Sequence, residues 1–184
     1  GLFEPRQWPA SGVHGLERRD SKGRWHVADS VDIETVALAR DRISELSTRF
    51  PGTLVEDKGL AVALHYRLAP HFEHELRREL RTLTSDLGAE FRLLEGRMVL
   101  EVRPGGATKA DAIRAFLAEP PFVGRWPIFM GDDTTDEDGL AAVERLGGLS
   151  VAVGDRVQGM VRVSGPRDVH VFLDELAETG APSV

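Results

Sequence analysis

The chain has 184 residues, 41% of them hydrophobic, with a formal net charge of -7 and no cysteine. That length can carry a real core in one large domain or two small ones. The acidic balance argues against a nucleic-acid partner, whose phosphates attract basic surfaces, and the lack of cysteine excludes disulfides, thiolate metal sites and a cysteine nucleophile.

No apolar run reaches the roughly 18 residues that span a membrane. Gly1-Leu2-Phe3-Glu4-Pro5 lacks the basic and apolar regions of a signal peptide. A soluble, cytoplasmic monomer without a membrane partner is expected. The segment 31–50 reads as a helix: Val36, Ala39, Ile43 and Leu46 recur at helical spacing, and Pro51-Gly52 ends it. Segments 53–56 and 60–66 read as strands joined through Asp57-Lys58-Gly59, a hairpin. Ala69-Pro70 opens a second helix, which carries Phe72, Leu76, Leu80 and Leu83 and runs to Leu87-Gly88. Two more strands, 89–94 and 98–102, are split by Glu95-Gly96-Arg97. The block 27–103 is thus helix, hairpin, helix, hairpin, which predicts an open α+β sheet with helices on one face.

After Pro104-Gly105-Gly106 the pattern changes. The segment 107–117 reads as a helix with Ile113, Phe116 and Leu117 on one side, and 126–130 as a short strand entering Gly131-Asp132-Asp133. A helix over 135–146 stops at Gly147-Gly148. Strands at 150–153 and 160–163 and a closing helix at 169–176 follow. Strands alternating with helices predict a parallel sheet, in which ligands sit beyond the carboxyl ends of the strands.

Five of the seven residues from Asp132 to Asp138 are acidic. Thr134 and Glu137 can form a capping box, and acids in a first helical turn favour the macrodipole. Neither reason covers Asp132 and Asp133, adjacent carboxylates at a strand end. They repel each other and call for a cation, and hard oxygen ligands suit magnesium. The spacing is not that of an EF-hand. Lys109 follows Thr108, a natural helix cap, so its charge opposes the helix dipole by about 0.3–1 kcal/mol. A bound anion would give that placement a purpose, since backbone amides and the ammonium then converge on one phosphate. A solvated lysine is the alternative. The run does not match a Walker loop.

Together these residues resemble the haloacid dehalogenase superfamily of phosphatases, in which a lysine loop and a strand-end acidic motif are the third and fourth catalytic motifs. Gly131-Asp132-Asp133-Thr134-Thr135-Asp136-Glu137 is similar to the fourth motif of the trehalose-6-phosphate phosphatases. Glu101-Val102-Arg103-Pro104 ahead of Lys109 resembles their third motif. Val55-Glu56-Asp57-Lys58 with Leu64-His65-Tyr66-Arg67 resembles their cap hairpin, and Val13-His14-Gly15-Leu16-Glu17-Arg18 the segment before the cap.

The resemblance implies an α/β fold: a Rossmann-like haloacid dehalogenase core, incomplete here, with an inserted α+β cap domain. Residues 1–26 and 104–184 would belong to the core and 27–103 to a mobile cap. Asp132 would ligate magnesium. Asp133 and Asp136 would support the ion directly or through water and hold Lys109, which would neutralise the phosphate and the attacking carboxylate. Glu56, Lys58 and Arg67 would face the substrate, since a sugar needs paired donors and acceptors; an exposed, charged hairpin tip is the alternative for Glu56 and Lys58. His14 and Glu17 would contact substrate or serve structure. Arg103 would meet phosphate or pair with Glu101.

The superfamily also needs a strand ending in D-x-D-G-T, whose first Asp is the nucleophile and whose second is the general acid and base. No such run occurs in these 184 residues. Asp136-Glu137-Asp138-Gly139 mimics the letters but opens a helix. The expectation is therefore a fragment of a longer trehalose 6-phosphate phosphatase, inactive by itself. The alternatives are a phosphatase for another sugar phosphate and a non-catalytic sugar-phosphate binding module.

Overall fold

The computed structural model describes residues 8–179; the signal-peptide reading of Gly1 to Pro5 lies outside them. The described chain divides into two compact units, one ending at Ala107 and the other starting at Thr108. Among the described residues no helix is long and apolar enough to cross a membrane.

The first unit opens with an element absent from the sequence reading. Strands β1 (Ala10–Gly12), β2 (Glu17–Arg19) and β3 (Trp25–Val27) form an antiparallel meander. Asp20, 1% exposed, organises its second turn. Its carboxylate accepts from the amides of Lys22 and Arg24, both at 2.9 Å, and from Arg24 Nε at 2.8 Å, and it contacts His26 Nε2 at 3.0 Å. The His26 contact, with the help of Arg24 and against burial, holds this carboxyl well below the usual range.

Helix α1 (Ile33–Ser47) starts where Asp32 accepts from Glu34 N and Thr35 Oγ1. It buries Val36, Ala39, Ile43 and Leu46, the residues its periodicity picks out. Strands β4 (Leu54–Asp57), β5 (Val62–His65), β6 (Phe91–Gly96) and β7 (Val99–Pro104) form an antiparallel sheet in the order β4-β5-β7-β6. Helix α2 (Glu73–Leu87) begins later than the sequence suggests, because Pro70–Phe72 forms a 3-10 turn first.

Residues paired across a sheet share a face, and successive residues alternate. The register puts Val55, Val62, Leu64, Phe91, Leu93, Leu100 and Val102 on one face. All of them pack with the buried residues of α1 and α2 in one core. The same register puts Glu56, Ala63, His65, Glu101, Arg92 and Arg103 on the opposite face, with Leu54, Leu94 and Val99 among them.

The second unit holds α3 (Lys109–Leu117), β8 (Ile128–Gly131), α4 (Glu137–Arg145), β9 (Leu149–Val153), β10 (Val161–Val163) and α5 (Pro166–Thr179). The strands are parallel in the order β10-β9-β8, as the strand–helix alternation predicts. Leu149, Ser150, Val151 and Ala152 of the central strand are buried, as expected of a parallel strand covered on both faces. Gly139 lets α4 approach β8: a Cβ there would lie 2.7 Å from the Phe129 ring.

Candidate active site

Two constellations emerge, one in each unit. In the second unit, β8 ends at Gly131 and delivers Asp132 to the carboxyl end of the parallel sheet. A 3-10 turn, Thr134–Asp136, precedes α4. The expected Thr134–Glu137 capping box is replaced by a reciprocal Asp133–Asp136 box, because the turn starts before the helix does. Thr134 instead donates to Asp133 Oδ1, from N at 2.7 Å and from Oγ1 at 3.3 Å.

Asp136 is 6% exposed. Its Oδ2 accepts the amides of Asp132 and Asp133, each at 3.1 Å, and its Oδ1 meets Lys109 Nζ. Burial pushes this carboxyl up, but the Lys109 ammonium and the two amides outweigh it and hold it below the usual range. A Cβ on Gly131 would run into the Asp136 side chain, so the glycine of this motif makes room for the ion pair. On the other side, Thr108 caps α3 and Asp111 completes the box, which puts Lys109 at the first helical position. Two reciprocal caps thus fix both ends of the Lys109–Asp136 pair.

Asp132 is exposed, and its carboxylate makes no polar contact among the described residues. Asp133 Oδ1 lies 3.8 Å from Arg156. The described residues contain no group of three acidic or histidine side chains placed to hold a metal. The donors present, hard carboxylate oxygens with Asp132 uncommitted, fit part of the ligand set of a divalent cation such as magnesium, which keeps several waters. A cleft of about 590 Å³ opens beside Asp132, with Gly154, Arg156, Ser164 and His170 in its wall.

In the first unit the polar face of the four-stranded sheet carries the other constellation. Lys58 sits in the β4–β5 turn, which Asp57 shapes by accepting from Gly59 N at 2.8 Å, with Gly59 at φ +80°. Its Nζ donates to Glu101 Oε2 at 2.7 Å, and His14 Nε2 lies 3.5 Å from Glu101 Oε1. His14 and Val13 adopt positive φ, 56° and 45°, in a segment anchored by Leu16 packed against Leu60 and Ala107. Such backbone strain is held only where the surroundings over-determine it. Glu101 is 6% exposed. Burial raises its carboxyl, but His14 and Lys58 together pull it from 4.5 down to about 2.

Of the sequence candidates, His14 and Lys58 therefore converge, on Glu101, and Lys109 and Asp136 converge on each other. Glu56 meets His65 instead, Oε2 to Nε2 at 2.8 Å. Arg67 is exposed just past β5, and Glu17 lies on β2 opposite Gly12 and Val27. Arg103 donates to the carbonyl of Ala107 at 3.3 Å. The sequence offers Glu101 as a member of the run ahead of Lys109 and as a partner for Arg103, not as the acceptor for Lys58 and His14. The signal that could have found it is the alternation of Leu100 and Val102 around a charged residue.

Residues 3–171 match the family model described as trehalose-phosphatase. The chain is 43% identical over 177 residues to the trehalose-6-phosphate phosphatase of Escherichia coli, an alignment spanning 94% of this chain and 65% of that protein. It is 44% identical over 157 residues to a probable trehalose-phosphate phosphatase of Sinorhizobium fredii, spanning 85% of this chain and 58% of that protein. The chain thus spans somewhat less than two thirds of the length of these relatives. Among solved structures, a trehalose-6-phosphate phosphatase related protein superposes with a TM-score of 0.71 at 25% identity, over 91% of this chain and 72% of that one. The C-terminal domain of the Candida albicans enzyme shares the fold, with a TM-score of 0.70 at 22% identity over 90% of this chain and 69% of that one.

Proposed function

The chain belongs to the trehalose-phosphatase family, and from that premise we propose that it is part of a phosphomonoesterase that hydrolyses trehalose 6-phosphate to trehalose and phosphate. The observation that carries this reading is the strand end where Asp136 ties down Lys109 and leaves the Asp132 carboxylate free. Lys109, held by Asp136 at the start of α3, binds a phosphoryl oxygen and offsets the charge that gathers there during transfer. A magnesium ion held at Asp132, with Asp133 beside it, would supply further charge neutralisation. Asp136 is a positioning residue: its two oxygens are committed to Lys109 and to two amides, which leaves it unsuited to in-line attack. The attacking carboxylate is a residue outside these 184, where the D-x-D-G-T run of the family would stand.

Residues 27–103 act as the cap, and 1–26 and 104–184 as parts of the core. The cap presents its polar sheet face to the sugar. Glu56, Lys58 and Arg67, with Glu101 added, supply the acceptors and donors that match a disaccharide's hydroxyls, and His14, Glu17 and Arg103 complete the substrate-facing set. The enzyme works as a monomer in the cytoplasm.

The test is phosphate release by the full-length protein from trehalose 6-phosphate, sucrose 6-phosphate and glucose 6-phosphate in magnesium. The expected result is a kcat/KM for trehalose 6-phosphate at least about 10²-fold above the others, because a site built to bond hydroxyls rejects analogues that leave its polar groups unpaired. Equal turnover of all three would overturn the assignment.

A further inference from the structure

We infer that His65 is a positioning residue for sugar recognition, holding the Glu56 carboxylate in one orientation on the polar face of the four-stranded sheet. The inference rests on the reading of that face as the sugar-binding one. In the sheet register Glu56, Ala63 and Glu101 form one row across β4, β5 and β7, and His65 stands two residues along β5 from Ala63 on the same face. Two carboxylates therefore flank Ala63, on strands whose outer members lie about 10 Å apart at the usual spacing. Each is tied to a cation or donor through Oε2: Glu101 to Lys58 at 2.7 Å, Glu56 to His65 Nε2 at 2.8 Å.

The two pairs differ in what fixes them. Glu101 is buried and gripped from two sides, by Lys58 and His14. Glu56 stands on the edge strand β4 with its side chain 48% exposed, and the side chain opposite it is only the methyl of Ala63. A free glutamate there would sample several rotamers and lose that freedom on binding a sugar. The imidazole contact restricts that freedom beforehand and leaves Oε1 to accept a hydrogen bond from a sugar hydroxyl. An exposed pair of this kind adds little to folding stability, so its removal should register in binding rather than in thermal melting.

The experiment is a double-mutant cycle on the full-length protein, with Glu56→Gln, His65→Ala, His65→Gln and the double variant Glu56→Gln/His65→Ala. Trehalose binding is followed by calorimetry and trehalose 6-phosphate hydrolysis by its KM and kcat. His65→Ala is expected to weaken trehalose binding and raise KM by about three- to five-fold, the return for pre-ordering one side chain with a contact of this strength. His65→Gln, which keeps a donor near the Nε2 position, should recover most of that loss. The double variant should bind no worse than Glu56→Gln, because the histidine acts through the glutamate. Losses that add, a His65→Ala protein that binds like the wild type, or a His65→Gln protein as weak as His65→Ala would each overturn the inference while leaving the sugar-facing assignment of Glu56 standing. A Glu56→Gln protein that binds like the wild type would overturn that assignment and the inference with it.

Discussion

Glu101 sits between Lys58 and His14 with its carboxyl drawn down from 4.5 to about 2. A carboxyl depressed in the folded state stabilises it above the unfolded value, and that stabilisation is lost as pH falls toward the folded value. The contribution of Glu101 is therefore complete above about pH 4.5 and disappears as pH drops toward 2. Glu101→Gln should cost about 1–3 kcal/mol at pH 7, and urea unfolding should show the gap to wild type closing between those limits. A gap that persists unchanged to pH 2 would mean that the loss is steric. No local pattern marks this residue, because its partners lie 43 positions away in sequence at Lys58 and on a strained turn at His14. Lys109 is legible in the sequence, since Thr108 and the following helix sit within one short segment and the cap forms as local chemistry dictates.

At the level of elements, the hydrophobic periodicity carried most of the information. Helix α1 buries the four residues its spacing singles out, and both hairpins of the four-stranded sheet form where the apolar runs predict them, but their turns fall later: Asp57 is still paired in β4, and Glu95 and Gly96 pair with Leu100 and Val99, so the second turn is Arg97-Met98, with Met98 at φ +62°. The meander of β1, β2 and β3 left no such trace. Its strands are three residues long, too short for alternation to register, and its turns depend on Asp20 and on positive φ at Val13 and His14. Register then decides which side chains share the polar face. If that face binds the sugar, Glu56→Ala or Lys58→Ala should lower kcat/KM for trehalose 6-phosphate by about 10-fold or more, and far less for a small aryl phosphate. Remote binding energy positions the sugar without touching the aryl substrate. Equal losses on both substrates would move these residues into the chemistry or the fold.

Across the whole molecule, Lys109, Asp132, Asp133 and Asp136, the residues proposed to serve the phosphate, fall in one unit and the candidates proposed to meet the sugar in the other. No D-x-D-G-T run occurs among the 184 residues, and unassisted hydrolysis of phosphate monoesters is among the slowest of reactions. These residues by themselves should therefore bind inorganic phosphate weakly and release none from trehalose 6-phosphate. Release that is lost in Lys109→Ala would place the nucleophile within them.

The most direct test of the phosphatase assignment is phosphate release from trehalose 6-phosphate by the full-length protein, measured across a magnesium titration for the wild type and for Asp132→Asn. Wild-type turnover should rise with magnesium and vanish in excess chelator. Asp132→Asn should fall by on the order of 10²–10³-fold at saturating metal, because a neutral amide is a weaker ligand for a hard ion and one electrostatic group in such a site is worth that much. Undiminished turnover in chelator, or an Asp132→Asn enzyme as active as the wild type, would contradict it.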